Sequence, residues 1–188
     1  TLTHLATNSA ATTSWGRGAN PHDGLTAWGR ELVTALERWD ILVDLTHVNT
    51  PGVLEACELA TRPVLCTHSG ARALNDHPRM LTDAEIDAIA ATGGVIGVIF
   101  GPYFLAGRVR ADSTCILDHV EYIAARVGLE HVALGSDFDG WMVSIPSDMR
   151  DCRDAHLVPD GLAQRGWSAD EIEQVCRGNA MRLLARRW

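Results

Sequence analysis

The chain contains no lysine: all 16 of its basic residues are arginine. That absence removes Schiff-base chemistry, a phosphate-loop lysine and a carboxylated-lysine metal bridge. There is no basic run either, and the formal charge is −8, which argues against nucleic acid and anionic membranes as partners. No Cys-x-x-Cys pair occurs among the five cysteines, so no disulfide framework is expected. They read as small buried hydrophobes in a reducing compartment, which favours a cytoplasmic location. Long apolar runs are missing too. The uncharged window Ala88–Gly107 covers 20 residues, but Gly93, Gly94, Gly97, Gly101 and Pro102 interrupt it. A helix end followed by a buried strand is expected there, and no membrane-binding segment in this chain.

What is present is one domain's worth of chain, 188 residues with 46% apolar side chains, enough for a real core. Its organising stretch runs from Ile41 to Gly70. Two strand-like runs, Ile41–Val48 and Pro63–His68, flank a short helix with Thr50 as N-cap and Pro51 at the first helical position. Each run stops on Thr-His. Alternation puts Val43, Leu45 and His47 on one face, and Val64, Cys66 and His68 on one face. Strand, helix, parallel strand is the unit of α/β barrels, whose reacting groups sit at C-terminal strand ends. His47 and His68 are then expected to point into one pocket. A metal hydrolase site is one reading of the pair; capping or surface histidines are the other.

The first four residues, TLTH, read as the end of a strand with Leu2 and His4 on one face. A polar loop from Asn8 to Gly24 leads into a helix over 25–39, with Leu25, Trp28, Leu32, Leu36 and Trp39 at helical spacing. After His68 a loop carries Arg72, His77 and Arg79. Thr82 and Glu85 form a capping box for a helix ending at Gly93-Gly94. Val95–Phe100 reads as a strand, 113–127 as a helix, and Val132–Leu134 as a strand running into GSDFDG at 135–140. A long loop to about Pro159 precedes a last helix opened by Ser168 and Glu171. The strand ends are His4, His47, His68, Phe100 and Asp137, too few to close an eight-stranded barrel. The expected fold is α/β: an incomplete (β/α)8 TIM barrel, about strands 4 to 8 with their helices. Residues 1–188 form a single partial catalytic domain, its N-terminal barrel strands absent.

The segments TLTH with Asn8, GLTAWGRELV, LVDLTHV, VLCTHSGAR, Arg79, GSDFDG and GNAMRLL occur in one order along the chain. In these the sequence resembles the membrane (renal) dipeptidase family of zinc peptidases. The resemblance implies hydrolysis of dipeptides by a hydroxide bridging two Zn²⁺ ions. It implies that His47 and His68 are ligands of the second zinc, and that His4 contacts the scissile carbonyl and stabilises the oxyanion. Arg79 would bind the substrate's C-terminal carboxylate, with Arg72 and His77 as competitors on the same loop. Asp137 would move the proton to the leaving amine, in preference to Asp139. Trp141 and Met142 are expected at the pocket mouth or in the core. His22, His119, His131 and His156 are expected at the surface. The family often dimerises, so the resemblance implies a homodimer as one expected partner. Its first-strand His-x-Asp and its bridging Glu have no counterpart here, so only second-zinc His ligands are present and the isolated chain is expected to be inactive. Two rivals stand beside this reading. One is a deaminase-like metal hydrolase, which would place Glu three residues after a strand-end His, where this chain has Thr50 and Ala71. The other is a non-catalytic half-barrel subunit.

Overall fold

The computed structural model describes residues 1–140, 142 and 144–185. Three strands, β1 (Leu65–Ser69), β2 (Val95–Val98) and β3 (Val132–Leu134), form a parallel sheet in that order. Leu65 lies opposite Val95, and Ile96 opposite Val132. All four residues of β2 are buried, as in a parallel strand covered on both faces.

Two further stretches continue the sheet's order without forming regular strands. Leu65 N donates to Val43 O (2.9 Å) and Leu45 N to Leu65 O (2.7 Å), while Leu2 N donates to Asp44 O (3.3 Å). The expected strand over Ile41–Val48 is therefore shorter than the alternation implies. Val48 N turns back to Leu45 O, and His47 sits at φ 71°. The common face of Val43, Leu45 and His47 breaks at the turn.

Helices α1 (Ala27–Arg38), α2 (Thr50–Leu59), α3 (Asp83–Ala91), α4 (Pro102–Ala106), α5 (Thr114–Val127), α6 (Leu157–Gln164), α7 (Ala169–Glu173) and α8 (Asn179–Ala185) complete the order. Thr82 with Glu85, and Ser168 with Glu171, form the expected capping boxes. The cap of α2 is Asn49, whose side chain accepts from Gly52 N, so Thr50 is already helical. An amide oxygen outcompetes the hydroxyl one residue later because its reach matches the third free N–H. A wide turn over Gln174–Gly178, bonded at helical spacing i to i+5, divides the last helix into α7 and α8.

The core lies between sheet and helices, with Leu45, Ile96, Phe100, Ile116 and Leu162 all under 2% exposed. Each such side chain contributes about 1.5–3 kcal/mol relative to leaving it in water. In α1 the buried face is Gly29, Val33 and Glu37, whereas Trp28 (52%) and Trp39 (78%) are exposed. Glu37 is drawn inward because it accepts from Thr61 N, Thr61 Oγ1 and Arg62 N at the start of the next loop. Trp28, Leu32, Leu36, Ile41 and Leu42 line an apolar groove beside Leu2 and Asp44. No helix among the described residues is long and apolar enough to cross a membrane.

Two missing side chains bring the strand ends together. A Cβ at Gly97, inside β2, or at Gly135, just after β3, would overlap the Thr67 carbonyl oxygen. Their absence lets the end of β1, which carries His68, close on the backbone that leads to Asp137. Gly97→Ala or Gly135→Ala should each destabilise the fold by about 1–3 kcal/mol, the range for forcing a methyl group into a packed interior. Urea unfolding measures this. An unchanged midpoint in both variants would mean that the strand ends separate freely.

Candidate active site

The structure gathers His4, His47, His68, Arg79 and Asp137 at the C-terminal ends of these strands. The rings of His4 and His47 lie 4.3 Å apart, centroid to centroid, and those of His47 and His68 5.1 Å. His47 Nε2 and His68 Nε2 approach to 3.2 Å, and Asp137 Oδ2 lies 3.8 Å from His68 Nε2. His47 and Asp137 both occupy the left-handed region, at φ 71° and 58°, where non-glycine residues are uncommon and functional sites concentrate. Gly140 makes room for the turn at Asp137, since a Cβ there would run into that carboxylate.

Thr13 braces the entry. Its Oγ1 donates to His4 O at 2.5 Å, and the next N–H, of Ser14, donates to His47 O at 2.7 Å, tying the two histidine segments together. Arg79 is 4% exposed. Among the described residues its guanidinium makes one hydrogen bond, from Nη2 to His68 O at 3.1 Å, and it sits 5.9 Å from the centre of the Phe104 ring. Its rivals turn elsewhere: Arg72 Nε donates to His77 O, and His77 Nδ1 accepts from Arg79 N. Trp15 and Phe104 pack edge-on against the His77 ring.

Burial sets the charge states. It drives the His47 imidazole down to about 2, reinforced by the Arg79 charge and the neighbouring imidazoles. Burial and then Arg79 bring His68 down to about 4. Both rings are therefore neutral at neutral pH, the form in which imidazole binds a metal. Burial raises the Asp137 carboxyl above its usual range, against the pull of Arg79 and His4.

The spacing of the pair suits a metal ion. Two nitrogens about 2.0–2.1 Å from one tetrahedral zinc lie about 3.3–3.4 Å apart, close to the 3.2 Å between the two Nε2 atoms. His47 Nδ1 is buried and without a partner among the described residues. The pair fits as two donors of a larger set, because no group of three or more His, Cys, Asp or Glu side chains among the described residues is arranged to hold an ion.

Other expectations divide. His22 and His156 are exposed. His119 is not: it is 1% exposed, its Nδ1 accepts from Ala71 N and its Nε2 donates to Leu105 O. The i, i+4 spacing to Cys115 and Ile123 on α5 carried that signal. His131 is half-buried, bonded to Gly94 O. All five cysteines are unpaired, but Cys152 is exposed rather than buried. Met142 lines a cavity of about 390 Å³ with Phe138, Asp139 and Ile145, and Trp141 lies outside the described residues. Sequence reasoning missed Asp44, Thr46 and Thr67. Asp44 is 8% exposed, yet hydrogen bonds from Thr1, Thr46 and Thr67 outweigh the cost of burial and hold it below the usual carboxylate range.

A family model described as membrane dipeptidase (Peptidase family M19) matches residues 1–187. Dipeptidase tcpJ of Claviceps purpurea is 33% identical over 188 residues, which cover 98% of this chain and 43% of that protein. An uncharacterised protein in the pqqA 5′ region of Klebsiella pneumoniae is 36% identical, over 88% of this chain and 62% of its own length. Among solved structures, a metallo peptidase from Rhodobacter sphaeroides, liganded with a phosphinate mimic of the dipeptide L-Ala-D-Ala, superimposes with a TM-score of 0.82 at 31% identity. That match covers 88% of this chain and 48% of that one. The chain thus spans about half the length of the relatives it matches, and its α/β architecture with a parallel sheet is consistent with part of their barrel. By sequence and by fold, it belongs to the membrane dipeptidase family, peptidase family M19.

Proposed function

We propose that this chain supplies about strands 4 to 8 of a (β/α)8 barrel in a zinc-dependent dipeptidase. The observation that carries the reading is the convergence of two neutral imidazole nitrogens at 3.2 Å beside a buried guanidinium and a carboxylate of raised pKa. His47 and His68 are the residues of this chain that would hold zinc. When bound, the ion supplies Lewis acidity toward the peptide carbonyl and makes the attacking water more acidic.

The chain's own residues would do the rest. Arg79 presents donors that no other described residue engages, and a guanidinium fork reads a carboxylate on two prongs. It therefore fixes the C-terminal end of a dipeptide. Exposed His4, beside His47 at the mouth, donates a hydrogen bond to the carbonyl oxygen as negative charge develops there. Asp137, its proton affinity raised by burial, collects the proton of the attacking water and delivers it to the departing amine. A deaminase reading is less well supported: Thr50 and Ala71 stand where its Glu would be needed, and the family match is to dipeptidases.

Zn²⁺ should raise the melting temperature of the chain, by about 5–10 °C at a hundredfold excess over Kd, and EDTA should reverse the shift. His47→Ala and His68→Ala should each abolish it. A shift that survives in both variants places the metal elsewhere.

Activity is to be compared in a protein of the relatives' full length. Asp137→Asn should lower kcat by about 10²–10⁴ while leaving metal content intact. Arg79→Met should act mainly on KM and should matter far less for dipeptides with an amidated C-terminus. An equal penalty on free-acid and amidated substrates would remove Arg79 from carboxylate recognition.

A further inference from the structure

Asp44 is joined to the His68 ring through one intervening hydroxyl, that of Thr67. Thr46 Oγ1 donates to Asp44 Oδ1 at 2.7 Å, and Thr67 Oγ1 donates to Asp44 Oδ2 at 3.1 Å. Each hydroxyl has one proton to give, and a carboxylate is the strongest acceptor within reach. Thr67 Oγ1 also lies 3.0 Å from His68 Nδ1 and 3.0 Å from Thr46 Oγ1. Whether Thr67 gives its proton to Asp44 or to Thr46, that proton is spent on the side away from the ring. The short contact to His68 Nδ1 is then a hydrogen bond only if the ring donates it.

We infer that Asp44, acting through the Thr67 hydroxyl, is a positioning residue that fixes His68 as the Nδ1–H tautomer and leaves the Nε2 lone pair bare, aimed at His47. An isolated neutral imidazole has no such constraint, and the wrong tautomer would place a hydrogen where a ligand bond belongs. The same carboxylate accepts from Thr67 N and Thr46 N, each at 3.1 Å, so the strand end and the relay are held as one unit. His47 lacks an equivalent: its Nδ1 is buried with no partner among the described residues. The two imidazoles are therefore unequal. One is set in advance, and the other takes its tautomer from whatever its Nε2 meets.

The inference rests on the metal reading of His68 only in its second arm, so the two can fail separately. The first arm uses metal-free protein labelled with ¹⁵N in its histidines, at neutral pH, with His68 assigned by comparison with His68→Gln. Long-range ¹H–¹⁵N correlation should show His68 protonated at Nδ1. Thr67→Val, which keeps the shape and removes the hydroxyl, should lose that preference, and Thr67→Ser should keep it. An Nε2–H signal for His68 in the unmutated protein overturns the inference, as does an unchanged tautomer in Thr67→Val. The first of these needs only the His68→Gln variant used for assignment.

In the second arm Zn²⁺ is titrated against a competing chelator. Thr67→Val should bind about 10–100-fold more weakly than the unmutated chain, the usual cost of losing a group that orients a ligand, and Thr67→Ser should restore the affinity. If zinc leaves the His47 and His68 signals unmoved while the tautomer result stands, the metal reading falls and the relay does not. If zinc binds these rings and Thr67→Val binds as tightly as the unmutated chain, the relay does not position the ligand.

Discussion

A single ionised carboxylate, buried and held chiefly by hydrogen bonds, ties the leading half of this structure together. Asp44 accepts from Thr1, Thr46 and Thr67, through three hydroxyls and two backbone N–H groups. Taking a lone carboxylate out of water is costly unless donors replace its hydration. Each hydrogen bond to a charged group returns about 1.5–3 kcal/mol, and five of them can offset the burial. The arrangement works only if the first residues, the turn before α2 and the end of β1 all converge on one point. The backbone bond from Leu2 to Asp44 and those between Val43, Leu45 and Leu65 are the same convergence seen from the main chain. Fold and site share this constraint, because the residues that satisfy Asp44 flank the two histidines.

The other constraint is one of volume. Gly97 and Gly135 both face the Thr67 carbonyl, so β1 and β3 approach each other over the middle strand. That closeness brings Asp137 within 3.8 Å of His68. Two of the site's side chains, those of His47 and Asp137, then leave the backbone at positive φ, aimed by turns rather than by strand pleat. Such conformations cost roughly 1–3 kcal/mol each and persist where the surroundings over-determine them. At His47 the Ser14 N–H on its carbonyl and the capped start of α2 do so.

Much of this was legible in the sequence, and for stated physical reasons. Thr-His at the end of apolar runs marked where chain leaves sheet, and the boxes at Thr82 and Ser168 marked two helix starts. The local turn at His47 was not legible, because alternation assumes that a strand continues and nothing in LTHVN announces a left-handed residue. Helix α6 was hidden by its own breakers. Pro159 falls in the first turn, where its missing N–H costs nothing. Gly161 packs against the Leu117 side chain. Asp44 reads as an ordinary polar residue on a strand, since three of its five donors come from Thr1 and Thr67, distant along the chain. Trp28 and Trp39 followed helical spacing and still lie outside, because Glu37 won the inner face through its bonds to Thr61 and Arg62.

The 3.2 Å spacing of the two imidazole nitrogens also bears on metal identity. Nitrogen donors held at this distance suit several first-row ions, and at such a pair Cu²⁺ is intrinsically preferred to Zn²⁺. Nothing in two rigid, neutral rings reverses that order. On the proposed reading, selection among ions would lie in cellular supply and in the donors that complete the coordination, and this pair would act as a generic nitrogen clamp.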